Sequence, residues 1–95
     1  MYAVINHLHL TIPVDQLRPG LEQEARAILT SQPGFHAFYF VKHTDDQATV
    51  ILLWETVSDA ENGAKVFGPT WFAKNIAPYL ASPQGRSLGE VIVQY

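Results

Sequence analysis

The first extended stretch, Tyr2 to Ile12, carries Val4, Leu8 and Leu10 at even positions and sets one amide, Asn6, among them. Side chains alternate across a strand, so Asn6 is expected on the same face as these aliphatics. A buried amide needs hydrogen-bond partners, and two readings stand side by side: Asn6 is satisfied by backbone or water, or it is held for a ligand. Its neighbours His7 and His9 form an H-x-H pair on one strand face, roughly 6.5 to 7 Å apart at strand rise. Such a pair supplies two metal ligands, but a site requires a third, and His36, Glu55 and Glu90 are scattered along the chain. Polar or interface histidines are the simpler reading, and no metal is expected. Trp54, Phe67, Trp71, Phe72 and Tyr79 concentrate aromatic surface around the second helical segment. Aromatics at helical spacing form core more often than binding sites, yet apolar walls with few polar groups are also what a pocket for a planar ring requires. Tyr39 and Tyr79 are available to donate to a phenolate. No glycine-rich phosphate loop, nucleophile elbow or paired-carboxylate spacing is present.

Composition narrows the classes further. A chain of 95 residues, 47% apolar and only 16% charged against roughly 25% in an average domain, is expected to fold as one domain over residues 1–95 with little charged surface. Six Lys and Arg lie singly against nine Asp and Glu, giving a net charge of −3, which argues against nucleic-acid partners and anionic membranes. Without cysteine there is no disulfide framework, thiolate metal site or thiol nucleophile. No basic-then-apolar leader and no apolar run of about 20 residues stands out, so a cytoplasmic protein is expected.

These residues must be positioned by a small set of elements. Tyr2 to Ile12 reads as a first strand closed by Pro13. Leu17, Leu21, Ala25, Ile28 and Leu29 recur at helical spacing and predict a first helix, with Pro19-Gly20 tolerable in its first turn and Gln32-Pro33-Gly34 ending it. Phe35 to His43 and Ala48 to Trp54 predict an antiparallel hairpin across Thr44-Asp45-Asp46-Gln47. Ser58-Asp59-Ala60-Glu61 has capping-box spacing and should start a short helix. Gly68-Pro69 should interrupt it, with a further short helix running to Pro78. Ser82 to Gly85 reads as loop and Leu88 to Tyr95 as a fourth strand. The order β-α-β-β-α-α-β fits a ferredoxin-like α+β fold, a split βαβ with a four-stranded antiparallel sheet. Phe38 and Phe40 alternate with Ala37, Tyr39 and Val41, and Ile51 and Leu53 with Val50, Leu52 and Trp54, so both sheet faces are apolar. The helices cover one face, and a second copy packed sheet to sheet is expected on the other. Which set on the second strand meets the partner, Phe38 and Phe40 or their alternates, is left open by the alternation.

With the Pro33-Gly34-Phe35 step into the second strand, the Trp54-Glu55 pair closing the third, the split helix from Ser58 and the long last strand, nearly the whole chain resembles the antibiotic biosynthesis monooxygenase family of dimeric α+β barrels. The resemblance implies a homodimer with one pocket per subunit between helices and sheet. It implies a cofactor-independent oxidation of a small planar phenolic or quinol-like substrate. It selects Asn6 as the catalytic amide and Trp71 as a stacking or donating partner, with Leu8, Trp54, Phe67, Phe72 and Tyr79 as substrate-binding residues. Haem-degrading members imply an axial histidine late in the second helix. Counting from Gly68-Pro69, that position falls at or near Lys74, so haem degradation ranks below the cofactor-free reading and no cofactor is expected. A non-catalytic dimeric barrel that binds a small ligand is the alternative from another class.

Overall fold

The computed structural model describes residues 1–95. The apolar alternation of the extended segments resolves into β1 (Tyr2–His9), β2 (Phe35–Thr44), β3 (Gln47–Trp54) and β4 (Gly85–Glu90), one antiparallel sheet in the order β2-β3-β1-β4. Two helical runs pack on one face, giving the ferredoxin-like α+β fold. Register assigns the faces. Val4, Asn6 and Leu8 of β1 stand opposite Leu52, Val50 and Ala48 of β3, and Phe38 and Phe40 of β2 opposite Leu52 and Val50. Residues directly opposite share a face, and this set meets the helices: Val4, Leu8, Ala48, Val50 and Leu52 are all buried in the core.

The first helical run, residues 14–30, opens with a 3-10 turn at Val14–Leu17 and passes through α1 (Arg18–Gly20), a π turn at Leu21–Ala25 and α2 (Arg26–Thr30). Pro19 sits in the first α turn, where its missing N–H costs no intrahelical bond. The second run holds α3 (Val57–Phe67), a π turn at Gly68–Phe72 and α4 (Ala73–Asn75), and a 3-10 turn at Ala77–Tyr79 follows. Gly68-Pro69 therefore widens the helix rather than breaking it. Proline removes the backbone donor of residue 69, and one residue on the Thr70 hydroxyl donates to the Val66 carbonyl. Pro78 does end the run, and Leu80 is extended.

Three boundaries differ from the sequence expectation. The N-cap of α3 is Thr56, whose hydroxyl accepts from the Asp59 N–H at 3.1 Å, not Ser58 with Glu61; T-x-x-D supplies the same acceptor two residues earlier. β1 stops at His9 rather than Ile12, because Leu10 N–H donates to Asp46 C=O and Thr11 N–H to Tyr79 C=O, taking the chain off the ladder. β4 begins at Gly85 and ends at Glu90, not Leu88 to Tyr95. Val91 N–H still donates to Met1 C=O just past the strand, and Ile92 is 87% exposed.

Two glycines let the layers meet. Gly34 adopts φ +75°, and the space where its Cβ would stand is occupied by Asp59; its carbonyl accepts from Glu55 N–H at 2.7 Å, which ties the entry of β2 to the exit of β3. Gly63 faces the Trp54 ring so closely that a Cβ there would lie 2.2 Å from it. Trp54 is 2% exposed and meets Phe35 edge-on at 5.5 Å between ring centroids.

No helix is long and apolar enough to cross a membrane. The opposite sheet face, with Ala3, Ile5 and His7 of β1, Ala37, Tyr39 and Val41 of β2 and Thr49, Ile51 and Leu53 of β3, carries no helix; Thr49 is buried between His7 and His43, while Tyr39 and Val41 are 54% and 40% exposed. On β2, Tyr39 and Val41 lie on this open face, while Phe38 and Phe40 face the helices. Gly63→Ala is expected to lower unfolding free energy by about 1 to 3 kcal/mol through overpacking against Trp54, although alanine is the better helix former; denaturant unfolding of the two proteins checks this.

Candidate functional site

Between sheet and helices lies a cavity of about 150 Å³. Its floor is Val4, Asn6, Val50, Leu52 and Trp54 from the central strands, with Phe38 and Phe40 from β2; its roof is Ala60, Gly63, Ala64, Phe67, Phe72 and Ile76 from the second helical run. Leu21 and Leu29 of the first run close one side, and Gln84 and Arg86 at the start of β4 stand at the other. The cavity exists because Gly63 holds α3 close to Trp54 while the π turn after Phe67 carries Phe72 on around the helix, leaving the middle of the sheet unfilled.

All polar side chains of this cavity sit on one wall. Asn6 is directly opposite Arg86 in the β1–β4 ladder, and Gln84, the residue before β4, lines the cavity with them. Asn6 Oδ1 and Gln84 Oε1 are buried and have no hydrogen-bond partner. Leaving a buried acceptor unmade costs about 1 to 3 kcal/mol, a cost that a donor entering the chamber removes. Arg86 makes no ion pair and is the one ionisable group of the lining.

A second cleft, about 740 Å³, runs between the first helical run and β2. Its charges are largely answered within the protein. Lys42 donates to Asp15 at 2.9 Å, which raises the lysine above its ordinary pKa, and Arg18 donates to Glu22 at 2.7 Å. The smaller cavity, with its unanswered acceptors, is the candidate site.

Of the residues singled out in the sequence, Asn6, Trp54, Phe67 and Phe72 line the cavity, and Leu8, Trp71 and Tyr79 do not. Leu8 is 3% exposed in the core further along β1. Trp71 is turned toward the first helical run: its ring stacks on Phe67 at 5.6 Å, and its indole N–H points at Glu24 Oε1, 3.5 Å away. The π turn rotates Trp71 off the cavity and brings Phe72 in. Tyr79 lies in the closing 3-10 turn, exposed, with its carbonyl accepting from Thr11. Gln84 and Arg86 are the residues that sequence reading missed; the signal was available in the two-residue alternation of β4, had its start been placed before Leu88.

The histidines lie elsewhere. On the open sheet face His7 Nδ1 and His43 Nε2 both bond the Thr49 hydroxyl, at 3.0 and 2.5 Å. A hydroxyl has one proton, so it donates to one ring and accepts N–H from the other. His9 contacts Asp46 at 3.3 Å, and the Thr44 hydroxyl, then His9, hold that carboxyl below its ordinary pKa. His36 bonds Glu55 and depresses its pKa in the same way. His7 and His9 thus engage different partners, and no group of three His, Cys, Asp or Glu is assembled.

No protein-family model matches the chain, and no curated protein matches it in sequence. Solved structures do match in shape. A protein of unknown function from Nitrosomonas europaea superposes with TM-score 0.80 at 15% identity, over 99% of this chain and 91% of that one. SnoaB, a cofactor-independent oxygenase from Streptomyces nogalater, gives 0.76 at 14% identity over 99% and 97%. The chain has the fold of the antibiotic biosynthesis monooxygenase-like proteins. The same fold is shared by MhuD, a heme-degrader from Mycobacterium tuberculosis solved with two hemes in its active site, with TM-score 0.63 and 18% identity over 100% of this chain and 99% of that one. At these identities the likeness is one of fold, and chemistry has to be read from the cavity itself.

Replacing Asn6 by the near-isosteric leucine removes an unanswered buried acceptor. Asn6→Leu is expected to raise unfolding free energy by about 1 kcal/mol or more, which is about 4 to 8 °C in Tm for a domain of this size; calorimetry on the two proteins reads it.

Proposed function

We propose that the protein is a cofactor-independent monooxygenase, acting as a cytoplasmic homodimer on a small planar phenolic or quinol-like substrate held in the cavity under the second helical run. The observation that carries this reading is the pair of unanswered amide oxygens, Asn6 Oδ1 and Gln84 Oε1, in an apolar chamber. A cavity of about 150 Å³ with Leu, Ile and Phe walls is benzene-sized. A ring fits between Phe38, Phe40, Leu52 and Phe67, and its hydroxyls reach the polar wall. Asn6 acts from both ends of its carboxamide: Oδ1 accepts the proton of a substrate hydroxyl and draws electron density onto the ring oxygen, and Nδ2 donates to the oxyanion that develops.

The redox balance needs no further component. A quinol and dioxygen give a hydroxyquinone and water: one oxygen atom forms a new bond to ring carbon, the other leaves as water, and the substrate supplies all four electrons. The apolar walls keep bulk water from the reduced oxygen species.

Haem does not suit the residues present. A tetrapyrrole is several times the size of one ring, no histidine lines the cavity, and all four histidines lie on β1 and β2. One observation favours a non-catalytic ligand-binding barrel as the second reading: no carboxylate or imidazole lines the cavity to act as a base.

That same absence predicts the pH dependence. Without a side-chain base, oxygen uptake with simple quinols is expected to rise with pH through the substrate's own phenol pKa, near 10 for an ordinary phenol, instead of levelling off at a carboxylate or histidine pKa. Asn6→Leu, though more stable, is expected to lose about 10²-fold in turnover. Oxygen consumption no different from buffer across a panel of quinols and phenols would favour the binding barrel.

Support for the dimer comes from the open face around Ile5, Tyr39, Ile51 and Leu53. A sheet-to-sheet interface above roughly 2,000 Å² would cover it. Sedimentation at micromolar concentration is expected to give twice the chain mass for the native protein. Tyr39→Asp should yield a folded monomer, and Phe38→Asp an unfolded chain, because the first charge is desolvated only in the dimer and the second already in the subunit.

A further inference from the structure

The polar wall has a definite donor and acceptor order, and that order describes a ligand. Resting on the reading of the cavity as a substrate site, we infer that its preferred ligand is a single-ring diphenol bearing an acidic substituent, of the dihydroxybenzoate type, with Arg86 taking the carboxylate. Two buried acceptors, Asn6 Oδ1 and Gln84 Oε1, stand without donors. They call for two hydroxyl protons, which a diphenol supplies and a monophenol does not. Arg86 contributes the opposite character: a guanidinium offers only donors, in a fork that matches a carboxylate.

Position separates the two roles. Asn6 and Gln84 bury their oxygens, whereas Arg86 is exposed at the rim and pairs with no carboxylate of the protein. A carboxylate at the rim keeps part of its hydration while its ring enters the chamber, so the charge is never carried into the apolar interior, where it would cost far more. The spacing agrees. Asn6 and Arg86 are a cross-strand pair, about 4.5 to 5.5 Å apart at Cβ, and Gln84, just before β4, lines the same cavity; a ring with three substituents offers one group to each. The volume of about 150 Å³ excludes fused polycyclic rings, and the cation excludes ligands whose substituents are all neutral from being the tightest.

Anaerobic calorimetry tests this without any turnover, using 2,5-dihydroxybenzoate, hydroquinone and benzoate. The dihydroxybenzoate is expected to bind at least about tenfold more tightly than hydroquinone, the usual worth of one charge-assisted hydrogen bond. It should also bind at least about tenfold more tightly than benzoate, which lacks the hydroxyls. Arg86→Met should bring its Kd to that of hydroquinone measured on the same variant, and Arg86→Lys should restore part of the preference. Equal affinity for dihydroxybenzoate and hydroquinone, or a preference that survives Arg86→Met, overturns the inference. Arg86-dependent binding with no oxygen uptake by any quinol leaves it standing and removes the monooxygenase. Turnover of neutral quinols with no preference for the acid does the reverse.

Discussion

The contact between Trp54 and Gly63 sets the distance between the two layers, and most of the molecule follows from it. Trp54 ends β3 with its ring buried, Phe35 meets it edge-on, and the glycine opposite has no Cβ to hold the helix away. Just before it the chain is pinned again, where Gly34 turns with positive φ and Thr56 caps α3. With one end of the helix clamped onto the sheet, the remaining apolar residues of the second run, Phe67, Phe72 and Ile76, must roof whatever the sheet presents. Over Asn6 and Val50 they leave a space, and that space is the cavity.

The two faces of the sheet divide the work. On the helix side the apolar residues form a continuous core interrupted at Asn6, Gln84 and Arg86. On the other side Ile5, Ile51, Leu53, Tyr39 and Val41 form an apolar field, with the Thr49 hydroxyl and its two imidazoles as the polar island. Elsewhere polar groups find partners: the Lys42, Arg18, His9 and His36 contacts are all made within the chain, mostly at its surface, where such pairs contribute little to stability. The unanswered amides in the cavity therefore stand out against a molecule that otherwise answers its buried polar side chains. A site that stores such a cost can return it when a ligand supplies the missing donors.

The fold was legible because its signals are periodic. Alternation in β1, β2 and β3 and the 3.6-residue spacing of Leu21, Ala25, Ile28 and Leu29 mark the elements directly, and the Asn6 face follows from parity alone. What parity cannot say is which of two apolar faces meets the helices, and so Phe38 and Phe40 could not be told from Tyr39 and Val41 before register was known. Trp71 lies off the cavity for a different reason: a π turn adds a residue to the helical turn and rotates everything after it, so of the two adjacent aromatics expected at the site only Phe72 lines the cavity. Gln84 and Arg86 escaped notice because Gly85, Ser87 and Gly89 dilute the strand pattern of β4, and a proline two residues before the strand makes its start look like loop.

The Asn6 and Gln84 carboxamide oxygens are unpartnered in the free protein, and a bound ring should engage them. Side-chain amide resonances report this directly, because hydrogen bonding at the oxygen shifts the amide N–H signals of the same group. In anaerobic solution with saturating hydroquinone, the side-chain signals of Asn6 and Gln84 should move, while the backbone amides of Ile5, Ile51 and Leu53 on the opposite face stay where they are. Unmoved Asn6 and Gln84 signals, with shifts confined to the open sheet face or the cleft beside β2, would contradict it.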